Sequence, residues 1–309
     1  MCATRMEHAT IAIPRRIKII AGALFALATV ACSGPTANTP PPATGPSATD
    51  VDDATAGLIE HHRHHHHGGV TLLIALSLDT LGVSPEQHPA VERIRKDLLA
   101  GMEPARAAEE KLAATLADGV AAGNFNATKV AAAIAQVTAA AATVHDSSIH
   151  ALNELHALLT PPERAALVDK VEAHWSVWQK ANAEETDPAH PGRGRLAMLA
   201  TDLGLMQGQV DKIRASLREQ MKTVPLLDPQ EIVAHLRAFG DAFRSETFDA
   251  KALANANGAN AHLAGWGAVH LAYFIEAVSP ELTKDQRAEY AQMLREHASH
   301  APEGTHEPS

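Results

Sequence analysis

A spacing of three, four and four residues occurs twice in this chain. Val91, Ile94, Leu98 and Met102 keep it once, and Val210, Ile213, Leu217 and Met221 keep it again 119 residues later. That spacing places four apolar side chains on one stripe of an α-helix. Other landmarks recur in the same order. Leu81-Gly82 answers Leu203-Gly204 at an offset of 122, Phe125 in NFNA answers Phe248 in TFDA at 123, and LTPPERA from Leu159 answers LTKDQRA from Leu282 at 123. Ordered landmarks with small shifts between them read as a tandem duplication of one helical unit.

Local chemistry also favours helix. Aromatic residues are only 4% of the chain and alanine is abundant, which suits helix better than strand. Capping boxes open the helices. In Ser84-Pro85-Glu86-Gln87 the serine oxygen takes one orphan amide, proline fits the first helical position and glutamine reaches back to a second amide. Thr160 with Glu163, Thr283 with Gln286, and Asp228 ahead of Pro229 repeat the pattern, while Asn126 and Asp249 read as caps of the third helices. Phe125 is expected to staple onto Val130, and Phe248 onto Leu253. The expected helices are 70–80, 85–121 (bent near Pro104), 127–158 and 161–178 in the first repeat. In the second they are 195–204, 207–244 (interrupted near Pro225 and Pro229), 250–280 and 284–298. Val130, Ile134, Val137, Ala141 and Val144 form a narrow seam for helix–helix packing. The fold class is therefore all-α, two tandem four-helix units.

The N-terminus reads as a targeting segment. Arg15, Arg16 and Lys18 precede an apolar stretch, Ile19 to Ala31, too short for an ordinary membrane span. It ends in Thr29-Val30-Ala31-Cys32, small residues before a cysteine, which resembles a bacterial lipoprotein cleavage box with threonine where leucine is usual. On this reading residues 1–31 are the signal peptide, Cys32 is lipidated and becomes the first mature residue, and Met6 is an alternative start. A plain secretory signal ending near Ala31 is the alternative. Ser33 is not the aspartate that holds lipoproteins at the inner membrane in enteric bacteria, which points to the outer membrane. With Cys2 removed and Cys32 acylated, no disulfide and no thiolate site is expected.

Residues 32–69 are a linker, rich in proline, threonine and alanine and ending in the tract EHHRHHHHGG. The first repeat occupies 70–180, a Pro/Gly-containing linker 181–194, the second repeat 195–299, and a tail 300–309. Removing 1–31, with four basic residues and one acidic, takes the net charge from −10 to −13. Such a chain repels phosphate backbones, and no nucleic-acid role is expected.

The leucine–threonine start with glutamine or glutamate three residues on, the NFN/TFD start of the third helix and the LGVSPEQ opening of the second resemble the Spy/CpxP family of periplasmic LTxxQ-motif proteins. That family includes ZraP- and CnrX-like metal-associated relatives. The resemblance implies curved helical hairpins that pair into a cradle. It further implies an ATP-independent chaperone for unfolded envelope proteins, a restraint on a membrane stress or metal sensor, or binding of zinc, nickel, cobalt or copper. One chain carrying both units would be an intramolecular pseudo-dimer. Three features depart from the pattern. Met206 replaces the capping serine of the second unit, the repeats are acidic where Spy-like cradles are basic, and the chain carries a lipid signal.

His61, His62, His64, His65, His66 and His67 are the sharpest chemical candidates. Neighbouring imidazoles on an extended segment supply ligands for Zn, Ni or Cu without a preformed site. The bland alternative is a solvated spacer. No cofactor is required on either reading. Asp146, His150 and Glu154 share one helix face and form a second metal candidate, joined by His145 or His156, against a plain polar face. His174, His235, His262, His270 and His297 read as ordinary surface or partly buried residues. Trp175, Trp178, Phe239, Phe243, Trp266 and Phe274 either line a client face or fill a core. No serine elbow, phosphate loop or HExxH is present, so an enzyme is not expected.

Overall fold

The computed structural model describes residues 68–185, 195–220, 222–224 and 227–299. The signal segment, Cys32, the histidine tract, residues 186–194 and the tail lie outside the described residues. Everything described falls in one compact unit, 46–309.

Among the described residues the structure is all helix and turn. The first half contributes α1 (Gly69–Leu78), α2 (His88–Ala122), α3 (Ala127–Ala141), α4 (Val144–Leu158) and α5 (Pro161–Glu185). The second contributes α6 (Arg195–Asp202), α7 (Gln207–Gln220), α8 (Pro229–Arg244), a 3-10 turn at Ala250–Ala252, α9 (Ala256–Val278), a 3-10 turn at Ser279–Glu281, and α10 (Lys284–Ser299). The expected third helix, 127–158, breaks at residues 142–143 into α3 and α4. Its counterpart starts as the short turn capped by Asp249 and becomes α-helix only at Ala256. α5 continues past 178 to Glu185, into the stretch expected to be linker. α2 starts at His88, because Pro85–Gln87 form a turn ahead of it.

The repeated spacing is a core pattern in the first half; in the second, Val210 and Ile213 are buried, Leu217 is half-buried and Met221 lies outside the described residues. Val91, Ile94, Leu98 and Met102 are buried in α2, followed by Ala105, Leu112, Leu116 and Val120 on the same stripe. Pro104 sits in the helix interior on the exposed side, where its missing N–H is least damaging. Of the α3 seam, Val130, Val137, Ala141 and Val144 are buried and Ile134 is half-buried. The 127–158 stretch is apolar and long enough by composition to cross a membrane, yet this seam is spent on packing against neighbouring helices.

Helices of the two halves interleave. α10 of the second half runs along α2 of the first, and α5 of the first packs on α8 of the second. Ion pairs mark both joins, Arg295 to Asp118 at 2.7 Å and Arg244 to Asp169 at 2.7 Å. α3 lies against α9, so close that a Cβ on Gly265 would stand 2.7 Å from Thr138 Oγ1. α1 is sandwiched among α2, α5 and α9. Its own N-cap, Gly68, has no side chain to cap with, and Asn260 of α9 does the work instead. Asn260 Oδ1 accepts Val70 N–H at 2.8 Å and Thr71 N–H at 3.3 Å, and its amide donates to Thr71 Oγ1 at 3.0 Å.

Candidate functional site

The capping boxes are where the two halves match most closely. Gln87 Oε1 accepts Ser84 N–H at 2.9 Å, and the return bond from Gln87 N–H to Ser84 Oγ is longer, 3.4 Å. Gln87 Nε2 then leaves its own helix, donating to Leu158 O at 3.2 Å and to Glu163 Oε2 at 3.0 Å. Glu163 accepts Thr160 N–H and the Thr160 hydroxyl, both at 2.8 Å. The second half repeats the arrangement. Gln209 Oε1 accepts Met206 N–H at 2.9 Å, and Gln209 Nε2 donates to Glu281 O at 2.7 Å and Gln286 Oε1 at 2.9 Å. Gln286 closes a full box with Thr283, through bonds of 3.0 and 3.3 Å. Each motif glutamine therefore caps one helix and ties it to the corner where the last helix begins. Met206 removes only the serine half of its box; the glutamine half survives because it needs nothing but the backbone N–H of residue 206. Gln87→Ala and Gln209→Ala should each cost about 1–2 kcal/mol, a lost cap plus lost half-buried bonds. The two share no partner, so the double variant should show the sum in urea denaturation.

Two arginines in the same motifs extend the pattern across the halves. Arg164 of LTPPERA donates to Ser245 O, the C-cap of α8, at 3.0 Å. Arg287 of LTKDQRA lies against Gly123, the left-handed C-cap of α2 (φ 70°), its Nε 3.5 Å from where a Cβ would stand. A guanidinium at a helix C-terminus meets the negative end of the helix dipole. The matching positions of Arg164 and Arg287 were visible in the two motifs, but their bonds differ: Arg164 reaches Ser245 O of the other half, whereas Arg287 Nη1 donates to Leu282 O in its own segment at 2.9 Å.

The second metal candidate does not assemble. Asp146 and His150 are exposed on α4, but Glu154 is held by Arg93 through both guanidinium nitrogens, one bond at 3.0 Å. Arg93 keeps the Glu154 carboxyl below its usual range. His145 and His156 turn the other way, into the core. His145 Nε2 stands 2.9 Å from Ala250 O, and His156 stacks on Phe248 at 5.1 Å beside Arg164. Among the described residues no group of three His, Cys, Asp or Glu side chains is placed to hold a metal. The isolated histidines are also more engaged than expected. His262 pairs with Glu231 at 2.8 Å, His270 lies against Trp266 with ring centroids 3.8 Å apart, and His235 is buried. A recess at the α1–α2 corner is lined by Leu78, Leu81 and Val91, and its charges are already paired, Arg95 bridging Asp79 (3.2 Å) and Glu92 (2.9 Å).

The aromatics fill the core. Trp175, Trp178, Phe239, Phe243 and Phe274 are buried, and Trp266 is half-buried against Trp178. Phe248, expected only to staple onto Leu253, packs its ring on Phe243 at 5.0 Å and Phe239 at 6.3 Å. The exposed large apolar side chains among the described residues are Met198 and Met206. What remains outward-facing and uncharged is α3, where Thr128, Ala131, Ala132, Ala135, Gln136 and Ala139 are exposed and Lys129 is the only exposed charge.

Residues 74–170 match the family model described as "LTXXQ motif family protein". The match spans both boxes of the first half and stops before the second. No curated protein and no solved structure matches the chain. Over residues 74–170, a minority of its length, the chain is similar to the LTXXQ motif family.

Proposed function

We propose that the protein is a lipid-anchored, non-enzymatic periplasmic chaperone that holds partly unfolded envelope proteins without ATP. The family match over the first half supports an envelope role. The observation that carries the chaperone reading is the exposed face of α3, a run of alanines with threonine and glutamine and one lysine. Such a face desolvates cheaply and makes shallow apolar contact with any unfolded segment. A serine-, histidine- or metal-based reaction has no residues to perform it on this face. The second half, with Gln209 and Gln286 bonded as Gln87 and Glu163 are, reads as a second unit, so that the chain is a covalent pseudo-dimer. Its reciprocal joins, α2 with α10 and α5 with α8, have the self-complementary character of a two-fold interface. Anchoring through Cys32, at the outer membrane, would keep the body beside the membrane surface.

A second reading, a Zn, Ni or Cu sensor or buffer that works through a membrane partner, draws on where the histidine tract meets the fold. Gly68 and Gly69 follow His67 directly and are buried, with Gly69 against Asn260. An ion held by His61, His62 and His64–His67 would be bound one to seven residues ahead of Gly68 in the chain.

The test uses a lipid-free chain from Ala54 onward, with and without residues 60–67, in light scattering of a reductant-unfolded client. Suppression at stoichiometric amounts should survive the deletion and ignore zinc, and should fall several-fold in Ala131→Glu/Ala135→Glu without a change in melting temperature. No suppression, together with tight zinc or nickel binding that the deletion abolishes, would transfer the function to the tract.

A further inference from the structure

α4 of the first half and α8 of the second meet at two buried imidazoles. His235 is 4% exposed and His145 5% exposed. Their ring centroids are 6.3 Å apart, with the planes nearly perpendicular. His145 is anchored to the second half twice. Its backbone N–H donates to Asn257 Oδ1 at 3.1 Å, and its Nε2 stands 2.9 Å from the Ala250 carbonyl, which can only accept, so Nε2 carries the proton. Asn153, two turns on, accepts Ala250 N–H at 2.8 Å and holds the same turn. His235 has no such satisfaction: its Nδ1 is buried with no partner.

The ionisable groups around this pair offer no counter-ion. On α8, Glu231 precedes His235 by one turn, and its carboxylate is occupied by His262 of α9 and by Asn255. The 250–252 turn brings Asp249 and Lys251, both exposed. From α4 the neighbour is His145 itself, while Asp146 faces solvent. α5 on the other side of α8 brings Asp169 and Glu172, which pair with Arg244, and Arg164, which bonds Ser245 O, all at the far end of α8. Burial, reinforced by His145, pushes the His235 imidazole down to about 4, against an opposing backbone bond at Ala254.

We propose that the His145–His235 pair is an acid-sensitive latch between the two halves of the chain, opened when a proton is taken up by His235. A cation at this position has the Ala254 backbone but no counter-ion and must reach water, which requires α8 to part from α4 and from residues 250–257. The sign follows from the depressed value. An opened form protonates near the ordinary 6.5 and the closed form only near 4. The latch is therefore at full strength above pH 6.5 and weakens as pH falls through the window between those values. By pH 5 the closed-to-open ratio should have dropped about 30-fold relative to pH 8. The inference stands apart from the chaperone reading, although opening would uncover Phe239 and Phe243, one and two turns further along α8.

Urea unfolding of the mature chain and of His235→Phe at pH 8, 6 and 5 reads the proton linkage of His235 as the difference between the two. Over that range the wild type should lose about 30-fold more of its folding equilibrium constant than His235→Phe does, the remaining titrating groups acting equally in both. Equal pH slopes in the two proteins would overturn the latch. Should His235→Phe fail to fold, imidazole C2 hydrogen–deuterium exchange on the wild type gives the titration itself, and a His235 midpoint near 6.5 overturns the proposal. Backbone exchange at pH 5, corrected for intrinsic rates, should lose protection at 144–151 and 250–259 before α2; uniform loss along the chain would argue against a local latch.

Discussion

Phe243→Ala should lower stability by about 3–5 kcal/mol, the range for truncating a fully buried phenylalanine. The ring is 0% exposed. It stacks on Phe239 at 5.0 Å and meets Phe248 at 5.0 Å and His156 at 5.2 Å. The cluster draws Phe239 and Phe243 from α8, Phe248 from the segment after it and His156 from α4 of the first half. Removing its central ring leaves a cavity that helices from both halves must collapse around, and helices pinned by Arg164 at Ser245 have little freedom to do so. A loss of that size corresponds to a fall in melting temperature of roughly 6–20 °C. Urea denaturation should show the midpoint falling with the slope unchanged. A loss below about 1 kcal/mol would mean that the aromatic cluster is not a packed core.

Asn260→Ala should cost about 3 kcal/mol through polar groups rather than volume. Asn260 is 0% exposed, and three groups depend on it, the Val70 and Thr71 amides and the Thr71 hydroxyl. Each buried group left without a partner costs roughly 1–3 kcal/mol, and the hydroxyl can rotate to recover part of its share. The effect should be regional. α1 has no other side-chain cap, so hydrogen exchange in Val70–Ile74 should accelerate far more than in α10. Gly69 supports the same cap: it sits at φ 56°, and a Cβ there would stand 2.5 Å from the Asn260 backbone. Unchanged protection of α1 in Asn260→Ala would show that the helix is held by its apolar side chains alone.

Most of the local structure was legible because its causes are local. Gln87, Glu163 and Gln286 announce helix starts through short-range hydrogen bonding, and the α2 stripe announces a buried face through its spacing. Two local expectations still gave way to packing. The third helices break where α3, α4 and α9 must pass each other, and Phe248 is used in a cluster spanning both halves rather than as a simple staple. The candidate site was less legible. Asp146, His150 and Glu154 share a face as their spacing requires, but spacing says nothing of Arg93, 61 residues away, which takes Glu154. In sequence His145 and His156 read as additions to that metal face and His235 as an ordinary histidine; all three become buried contacts between the halves.

The sequence alone determined that this chain is helical, where its motif-bearing helices begin, which stripe of α2 is buried, and that one set of motifs occurs twice. Those are properties of 3.6-residue periodicity and of hydrogen bonds that close within a few residues. Only the tertiary structure decided that α10 lies on α2 and α5 on α8, that Asn260 caps a helix 190 residues away, and that the aromatics are core rather than surface. Such pairings arise from side chains far apart in the chain competing for the same buried volume, and no local pattern encodes the winner.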